Sequence, residues 1–169
     1  FHTVAVCDIV RSRRRYYEVN VRGTAHVIRA CLETGVRHLV YTSTPSVVVG
    51  QEDIIGGDES LPYPSRYTAP YPATKAVAEQ MVLAANCWEM VVGGVGESRT
   101  GSGLAHLRTC ALRPHLIWGP GDPHIIPKLF QVALQGRLRM VGDGRNQVSL
   151  TYVENAAHGH IQAADELRG

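Results

Sequence analysis

The sequence predicts an α/β fold: a doubly wound parallel sheet with helices on both faces. Two patterns carry this expectation. Short apolar runs alternate along the chain with helical periodicities, the order of parallel βαβ units. The runs are continuously apolar rather than strictly alternating, as in strands covered on both faces. With 169 residues the chain is long enough to bury one real core.

Taken in order, Phe1 to Val6 reads as the end of a buried strand already under way at residue 1. Tyr16 to Glu33 reads as a helix, because Val21, Ala25, Ile28 and Leu32 fall on one face, and Gly35 is placed to cap it. Val36 to Ser43 is a β-rich run that ends in the hydroxyl triplet Thr42-Ser43-Thr44. Pro45 to Pro70 is loop-rich, punctuated by Gly56-Gly57, Pro62 and Pro64. Tyr71 to Asn86 is a second helix, with Pro72 tolerated in its first turn and Val77, Met81 and Ala84 on one face. Cys87 to Gly103 has many glycines and no period, so it is expected to be a surface loop or an insertion. Leu107 to Leu112 is a short strand and Ile125 to Gln135 a third helix. Leu138 to Val141 and Val148 to Val153 read as short strands, and Glu154 to Leu167 as the last helix.

The bulk properties exclude several function classes. Hydrophobic residues make up 44% and charged residues 19%, with a formal net charge of +2, too weak to argue for nucleic acid or an anionic membrane. The basic run Arg11, Arg13, Arg14 and Arg15 precedes a helical pattern and reads as a solvated face. No apolar stretch approaches a membrane span, no signal peptide opens the sequence, and no Asn begins a glycosylation sequon. Cys7, Cys31, Cys87 and Cys110 form no Cys-x-x-Cys pair; three sit in apolar patterns, which suits core residues in a reducing, intracellular compartment. His158 and His160 are two apart on a helix and do not face each other, so no metal site is expected. Gly94-Val95-Gly96 and Gly142-Asp143-Gly144 both lack the third glycine of a dinucleotide fingerprint.

The chemistry concentrates elsewhere. Tyr71 and Lys75 stand four apart at the start of a helix and therefore share a face. Thr42, Ser43 and Thr44 end the strand before it, Asn20 opens the preceding helix, and Pro114 follows a later strand end. All would lie near carboxyl ends of parallel strands, where open α/β sheets bind ligands. A phenol ionises near pH 10, too high for a base at neutral pH. A nearby ammonium favours the phenolate, and a Ser/Thr hydroxyl can orient an alcohol against it.

With these motifs the chain resembles the extended short-chain dehydrogenase/reductases, and among them the 3β-hydroxysteroid dehydrogenase/isomerase family, sterol-4-carboxylate 3-dehydrogenases included. The carriers are Val19 to Thr24, Leu39 to Thr44, Ala69 to Lys75, Leu83 to Asn86, Ala111 to His115, Trp118 to Asp122, Gly142 to Asn146 and Thr151 to Asn155. The resemblance implies a Rossmann-like sheet. It also implies an oxidoreductase that takes a 3β-hydroxyl of a steroid or sterol to the ketone with NAD, NADP not being excluded. If a carboxylate neighbours that carbon, the β-keto acid can lose carbon dioxide unaided.

By position the resemblance makes Tyr71 and Lys75 the catalytic pair. Thr44 is the catalytic hydroxyl where the family usually has Ser, with Ser43 as the alternative, and Asn20 holds the proton relay. His2, Thr3, Thr42, Ser43, Tyr71, Lys75, Pro114 and His115 are the expected cofactor contacts. Residues 1–117 correspond to the C-terminal half of the cofactor domain with 87–103 inserted, 118–146 to the start of a substrate lobe, and 147–169 to a return to the first domain.

The family's Gly-rich turn is expected upstream of Phe1, so the sequence reads as an N-terminally truncated fragment of a longer parent. The unpaired sheet edge would then make the chain alone poorly stable. The parent is expected to be cytoplasmic or associated with the endoplasmic reticulum, and to dimerise through the two long helices. Two other readings stay open: a sister activity (nucleotide-sugar epimerase, or ketone or acyl-CoA reductase), and a catalytically inactive remnant. Ile125 to Phe130 is apolar, which suits a sterol contact and a core helix face equally.

Overall fold

The computed structural model describes residues 1–7, 12–50, 54–90, 105–123, 125–140 and 142–169. It divides into two units, Phe1–Arg113 with His160–Gly169, and Pro114–Gly159.

In the first unit, β1 (His38–Thr42) pairs in parallel with β3 (Ala105–Leu112), from His38 opposite Arg108 to Thr42 opposite Leu112. On the far side of β1 the N-terminal segment lies parallel through a single bridge, His2 to Tyr41, held by His2 N–H to Val40 O and Thr42 N–H to His2 O. β2 (Trp88–Met90) pairs antiparallel on the other edge of β3, so the sheet order is β1-β3-β2. The expected loop from Cys87 therefore starts as a strand at Trp88, while 91–104 lie outside the described residues. A three-residue antiparallel edge leaves too short a signal to find in a Gly-rich sequence.

The first long helix begins earlier than the apolar period suggests. α1 (Arg13–Tyr16) runs into a π-helical turn (Tyr17–Arg22) and then α2 (Gly23–Thr34), closed by Gly35 in the left-handed region at φ 74°. Arg13, Arg14 and Arg15 are exposed on the first turn, as expected of a solvated face; Arg11 is outside the described residues.

α3 (Pro70–Ala84) carries the Tyr-Lys pair. Its buried face is Thr74, Lys75, Ala76, Ala78, Glu79 and Val82, whereas Val77 is exposed. The apolar stripe read from the sequence thus pointed partly the wrong way: the inner face carries two buried charges, Lys75 and Glu79, alongside Ala76, Ala78 and Val82. Asn86 ends the helix by accepting the Thr109 N–H at 2.9 Å, while Thr109 Oγ1 donates to Val82 O at 2.7 Å, pinning the helix end to β3.

Ile28 and Cys31 of α2, Ala78 and Val82 of α3, Ala85, Leu39, Tyr41 and Leu107 form the core of this unit. Of the four cysteines, three of which sit in apolar patterns that suit a core, Cys31 is buried, Cys110 is partly so, and Cys7 and Cys87 are exposed. The latter two sit where apolar runs meet loops, and a run alone does not reveal which of its ends is covered.

The second unit contains β4 (Ile117–Trp118) parallel to β5 (Thr151–Tyr152), α4 (Ile125–Leu134) and the beginning of α5 (Val153–Glu166). Trp118 packs edge-on to Tyr152 at 5.3 Å. Gly119 lets Val153 approach so closely that a Cβ there would collide with it. The strand expected over 138–141 is absent among its described residues, and the one expected over 148–153 shrinks to Thr151–Tyr152. Isolated apolar residues in a Gly- and Arg-rich stretch found no neighbouring strand to pair with. Leu129, Phe130 and Leu134 on α4 are exposed. Among the described residues no helix is long and apolar enough to cross a membrane, and no cluster of three potential metal ligands occurs.

Candidate active site

The site grows from the junction of β1 and α3. Ala69 is extended before the helix, and Pro70 and Pro72 fit the first turn because no intrahelical N–H is needed there. That fixes Tyr71 at the entrance and Lys75 one turn inside, on the same face. Lys75 is almost fully buried. Its Nζ donates to the Thr42 carbonyl at 2.6 Å and stands 4.1 Å from the centre of the Tyr41 ring. Burial drives its pKa down to about 8, while the charges of Glu79 and Cys7 act in the opposite direction.

Tyr71 is half-buried. Burial raises its pKa and Cys7 adds to this, against the Thr44 hydroxyl, which stabilises the phenolate. An ammonium beside the phenol would favour the phenolate, yet in the chain by itself burial dominates and the opposing influence on Tyr71 is the Thr44 hydroxyl. Of the two hydroxyls left open by the sequence, Thr44 is the one beside Tyr71. Thr44 also caps the 3₁₀ turn Pro45–Val47, accepting from Ser46 N–H at 3.4 Å and pairing with Ser46 Oγ at 2.8 Å. Ser43 turns instead toward Glu79, whose charge it helps to stabilise. Its geometry falls short of a full hydrogen bond, so its buried Oγ has no other partner among the described residues.

Asn20 is buried in the π-helical turn, a distortion that often marks functional positions. Its side chain clasps the backbone of Val6, accepting the N–H at 2.7 Å and donating to the C=O at 3.2 Å, and also donates to Thr74 Oγ1 at 3.1 Å. Thr24 Oγ1 donates to Asn20 O at 2.7 Å and meets His2 Nε2 at 2.9 Å. One polar chain, His2–Thr24–Asn20–Thr74, thus links the N-terminal segment, the π turn and α3. His2 is buried against the Tyr41 ring at 5.3 Å; burial and the Lys75 charge hold its pKa low. Thr3 is exposed. Thr42 has a second bond: its Oγ1 meets His160 Nε2 at 2.6 Å. Pro114 and His115 belong to the second unit.

Sequence reasoning missed the group one turn beyond Lys75. Glu79 is completely buried and bridges Arg113 at 2.6 Å, accepting both Arg113 Nε and Nη2. It also accepts the Tyr63 hydroxyl at 2.7 Å. Burial opposes its charge, yet the hydrogen bonds from Arg113 and Tyr63, helped by the nearby Ser43 hydroxyl, outweigh it and lower its pKa. Burial next to that carboxylate pushes Tyr63 up to about 12. The signal was available: Glu79 follows Lys75 by four on the face that has to be buried.

The residues present fit a nicotinamide dinucleotide. Lys75 Nζ donates to Thr42 O and has two further protons to offer a ribose diol, and the Thr44 hydroxyl lies beside Tyr71 just past the end of a parallel strand, where such ligands bind.

The chain is 46% identical over 170 residues to the 2-alkyl-3-oxoalkanoate reductase of Stenotrophomonas maltophilia (strain K279a), covering 99% of this chain and 46% of the relative. It is 41% identical over 169 residues to 3beta-hydroxysteroid-dehydrogenase/decarboxylase isoform 1 of Arabidopsis thaliana, covering 99% of this chain and 35% of that protein. The chain therefore spans less than half the length of these relatives. Among solved structures, MoeE5 in complex with UDP-glucose and NAD superposes with a TM-score of 0.69 at 27% identity, over 97% of this chain and 52% of its own. The α/β fold is accordingly the Rossmann-type fold of the extended short-chain dehydrogenase/reductases. The profile of the 3-beta hydroxysteroid dehydrogenase/isomerase family matches residues 1–169, and the chain belongs to that family.

Proposed function

We propose that this chain supplies the proton-transfer apparatus of an NAD(P)-dependent oxidoreductase that interconverts a secondary alcohol and its ketone, with the 3β-hydroxyl of a steroid or sterol as first substrate class. The observation that carries this reading is the buried Lys75 ammonium, held by Thr42 O at the end of β1 one turn along α3 from Tyr71, with the Thr44 hydroxyl beside that phenol.

The alcohol oxygen would lie between the two hydroxyls. Thr44 orients it and Tyr71 exchanges its proton. Below about pH 8 Lys75 is charged and favours the phenolate. Thr42 O and the Tyr41 ring fix the ammonium, so it does not have to be ordered during the reaction. Asn20 ties Val6 to α3 and keeps the N-terminal strand end in register with the base. Bound NAD(P) would supply the hydride acceptor or donor.

A second reading has its own support. Burial keeps Tyr71 a phenol at neutral pH, which suits proton donation to a ketone, and the relative at 46% identity is named as a reductase of 2-alkyl-3-oxo acids. That name and the dehydrogenase/decarboxylase name share one chemistry, a ketone β to a carboxylate. A β-keto acid formed by oxidation loses carbon dioxide without a further catalytic group.

The test is cofactor turnover by the full-length protein with a 3β-hydroxysterol bearing a 4-carboxylate and, in reverse, with a 2-alkyl-3-oxo acid. Turnover of one of them, lost in Tyr71→Phe, is expected. Turnover of neither substrate with either cofactor, or full activity in Tyr71→Phe, would sink the reading.

A further inference from the structure

Ser46 has no place in the proton transfer just described, yet its hydroxyl touches the one that does. Thr44 Oγ1 and Ser46 Oγ stand 2.8 Å apart, in the turn that follows β1. That turn is built to hold them. Pro45 restricts its first φ, Val47 N–H donates to Thr44 O at 3.2 Å, and Val48 N–H donates to Pro45 O at 3.0 Å. Val47 is fully buried, and its carbonyl accepts the Tyr67 hydroxyl at 2.7 Å. Ser46 itself is only half-buried.

A hydroxyl has one proton to give. Among the described residues, Thr44 is the one hydrogen-bond partner of the Ser46 hydroxyl. Two hydroxyls bonded to each other commit one of their two protons. A ligand with two acceptor oxygens at the same spacing engages both. The substrates read above carry such oxygens. Their carboxylate sits on the carbon next to the reacting one, so a chain of three carbons joins the alcohol oxygen to a carboxylate oxygen. Folded to face each other, these two oxygens lie about 2.7 Å apart, the distance of an ordinary O–H···O bond. That spacing matches the hydroxyl pair.

We propose that Ser46 determines specificity: with Thr44 on the reacting oxygen, the Ser46 hydroxyl holds the neighbouring carboxylate of a 3-hydroxy or 3-oxo acid. This deepens the oxidoreductase reading and rests on it.

A neutral donor also suits the loss of carbon dioxide from the 3-oxo acid. The bond to the carboxylate carbon breaks, its electron pair passes toward the ketone oxygen, and the enolate left behind takes a proton from water. A cation paired with the carboxylate would hold those electrons back, because a charged hydrogen bond is roughly twice as strong as a neutral one.

The experiment compares two probes on the full-length protein: a 2-alkyl-3-hydroxy acid, and the secondary alcohol of the same chain without its carboxylate. The readout is the ratio of their kcat/KM values. In Ser46→Ala this preference for the acid should fall about ten- to hundredfold, as expected for a lost hydrogen bond to a charged group, with the change mostly in KM. Ser46→Thr keeps a hydroxyl and should keep the preference. Ser46→Asp sets a like charge against the carboxylate and should lower the preference further. The Thr44 cap uses the Ser46 backbone N–H, which alanine retains, so an unchanged melting temperature is expected for Ser46→Ala.

A second arm needs no turnover. With reduced cofactor present, the hydroxy acid is titrated against wild type and Ser46→Ala by calorimetry, and a loss of affinity of the same size is expected. An unmoved preference in folded Ser46→Ala, equal affinity of the two proteins, or no binding of the acid to wild type overturns the proposal. If wild type binds the acid more tightly than Ser46→Ala but turns over neither probe, the oxidoreductase reading fails while the carboxylate site stands.

Discussion

At the scale of single residues the two members of the proposed catalytic pair are pushed in opposite directions by the same burial. Tyr71 is held as a phenol and Lys75 is pushed toward the amine, down to about 8 from 10.5. For Tyr71→Phe we expect an unchanged melting temperature and a loss of turnover of about 10²–10⁴, the usual contribution of a positioned acid or base. For Lys75 the linkage sign is definite. Its folded pKa lies below its unfolded one, so between about pH 8 and 10.5 the unfolded chain binds more protons. The cost of burying the Lys75 ammonium therefore stands in full below about pH 8 and fades as pH rises toward 10.5, so stability rises with pH across that window. Lys75→Met removes the buried ammonium and is expected to stabilise the fold at neutral pH while abolishing activity. The gain is bounded by roughly 3 kcal/mol, the cost of a shift of that size. Urea melts of both proteins at pH 7 and pH 10 would check this; a destabilised variant at pH 7 would count against it.

At the scale of elements, α3 is fixed by polar contacts at least as much as by apolar ones. Asn20 and Thr42 hold its second turn through Thr74 and Lys75, Arg113 and Tyr63 hold its third through Glu79, and Thr109 holds its end. Arg113→Met leaves the Glu79 carboxylate buried with one partner fewer, and is expected to cost about 3–5 kcal/mol in denaturant unfolding. Tyr63→Phe removes one neutral donor from that carboxylate and should cost only about 1–3 kcal/mol. If the two variants are equally mild, the ion pair is not what anchors the helix. At the end of α2, Gly35 adopts a left-handed conformation that a side chain tolerates poorly, and Gly35→Ala should lose about 1 kcal/mol.

At the scale of the whole molecule, the first unit contains the covered core, and the second shows many exposed apolar side chains on and after α4. Stability is expected to be uneven in the same way. In native-state hydrogen exchange, the amides of Leu39 to Tyr41 and Leu107 to Ala111 should be the last to exchange, and those of α4 should exchange early. Uniform protection across both units would contradict this.

The order of strands and helices was legible because each element carries a local signature: an apolar run, a period of 3.6, a glycine at the end of α2, a proline at the start of α3. The Tyr71–Lys75 pair was legible for the same reason, since a spacing of four on a helix is geometry fixed by the backbone alone. The sequence by itself therefore determined the α/β class, the family and the candidates for the site. Tertiary structure decided the rest. It turned α3 so that Lys75 and Glu79 face inward while Val77 faces out, paired Trp88–Met90 as an antiparallel edge, and set Thr44 rather than Ser43 beside Tyr71. These outcomes depend on partners distant in sequence: Glu79 needs Arg113 and Tyr63, Asn20 needs Val6 and Thr74, and Thr42 needs His160. A buried charge is stable only where such partners converge, and convergence is a property of the folded chain that no local pattern encodes.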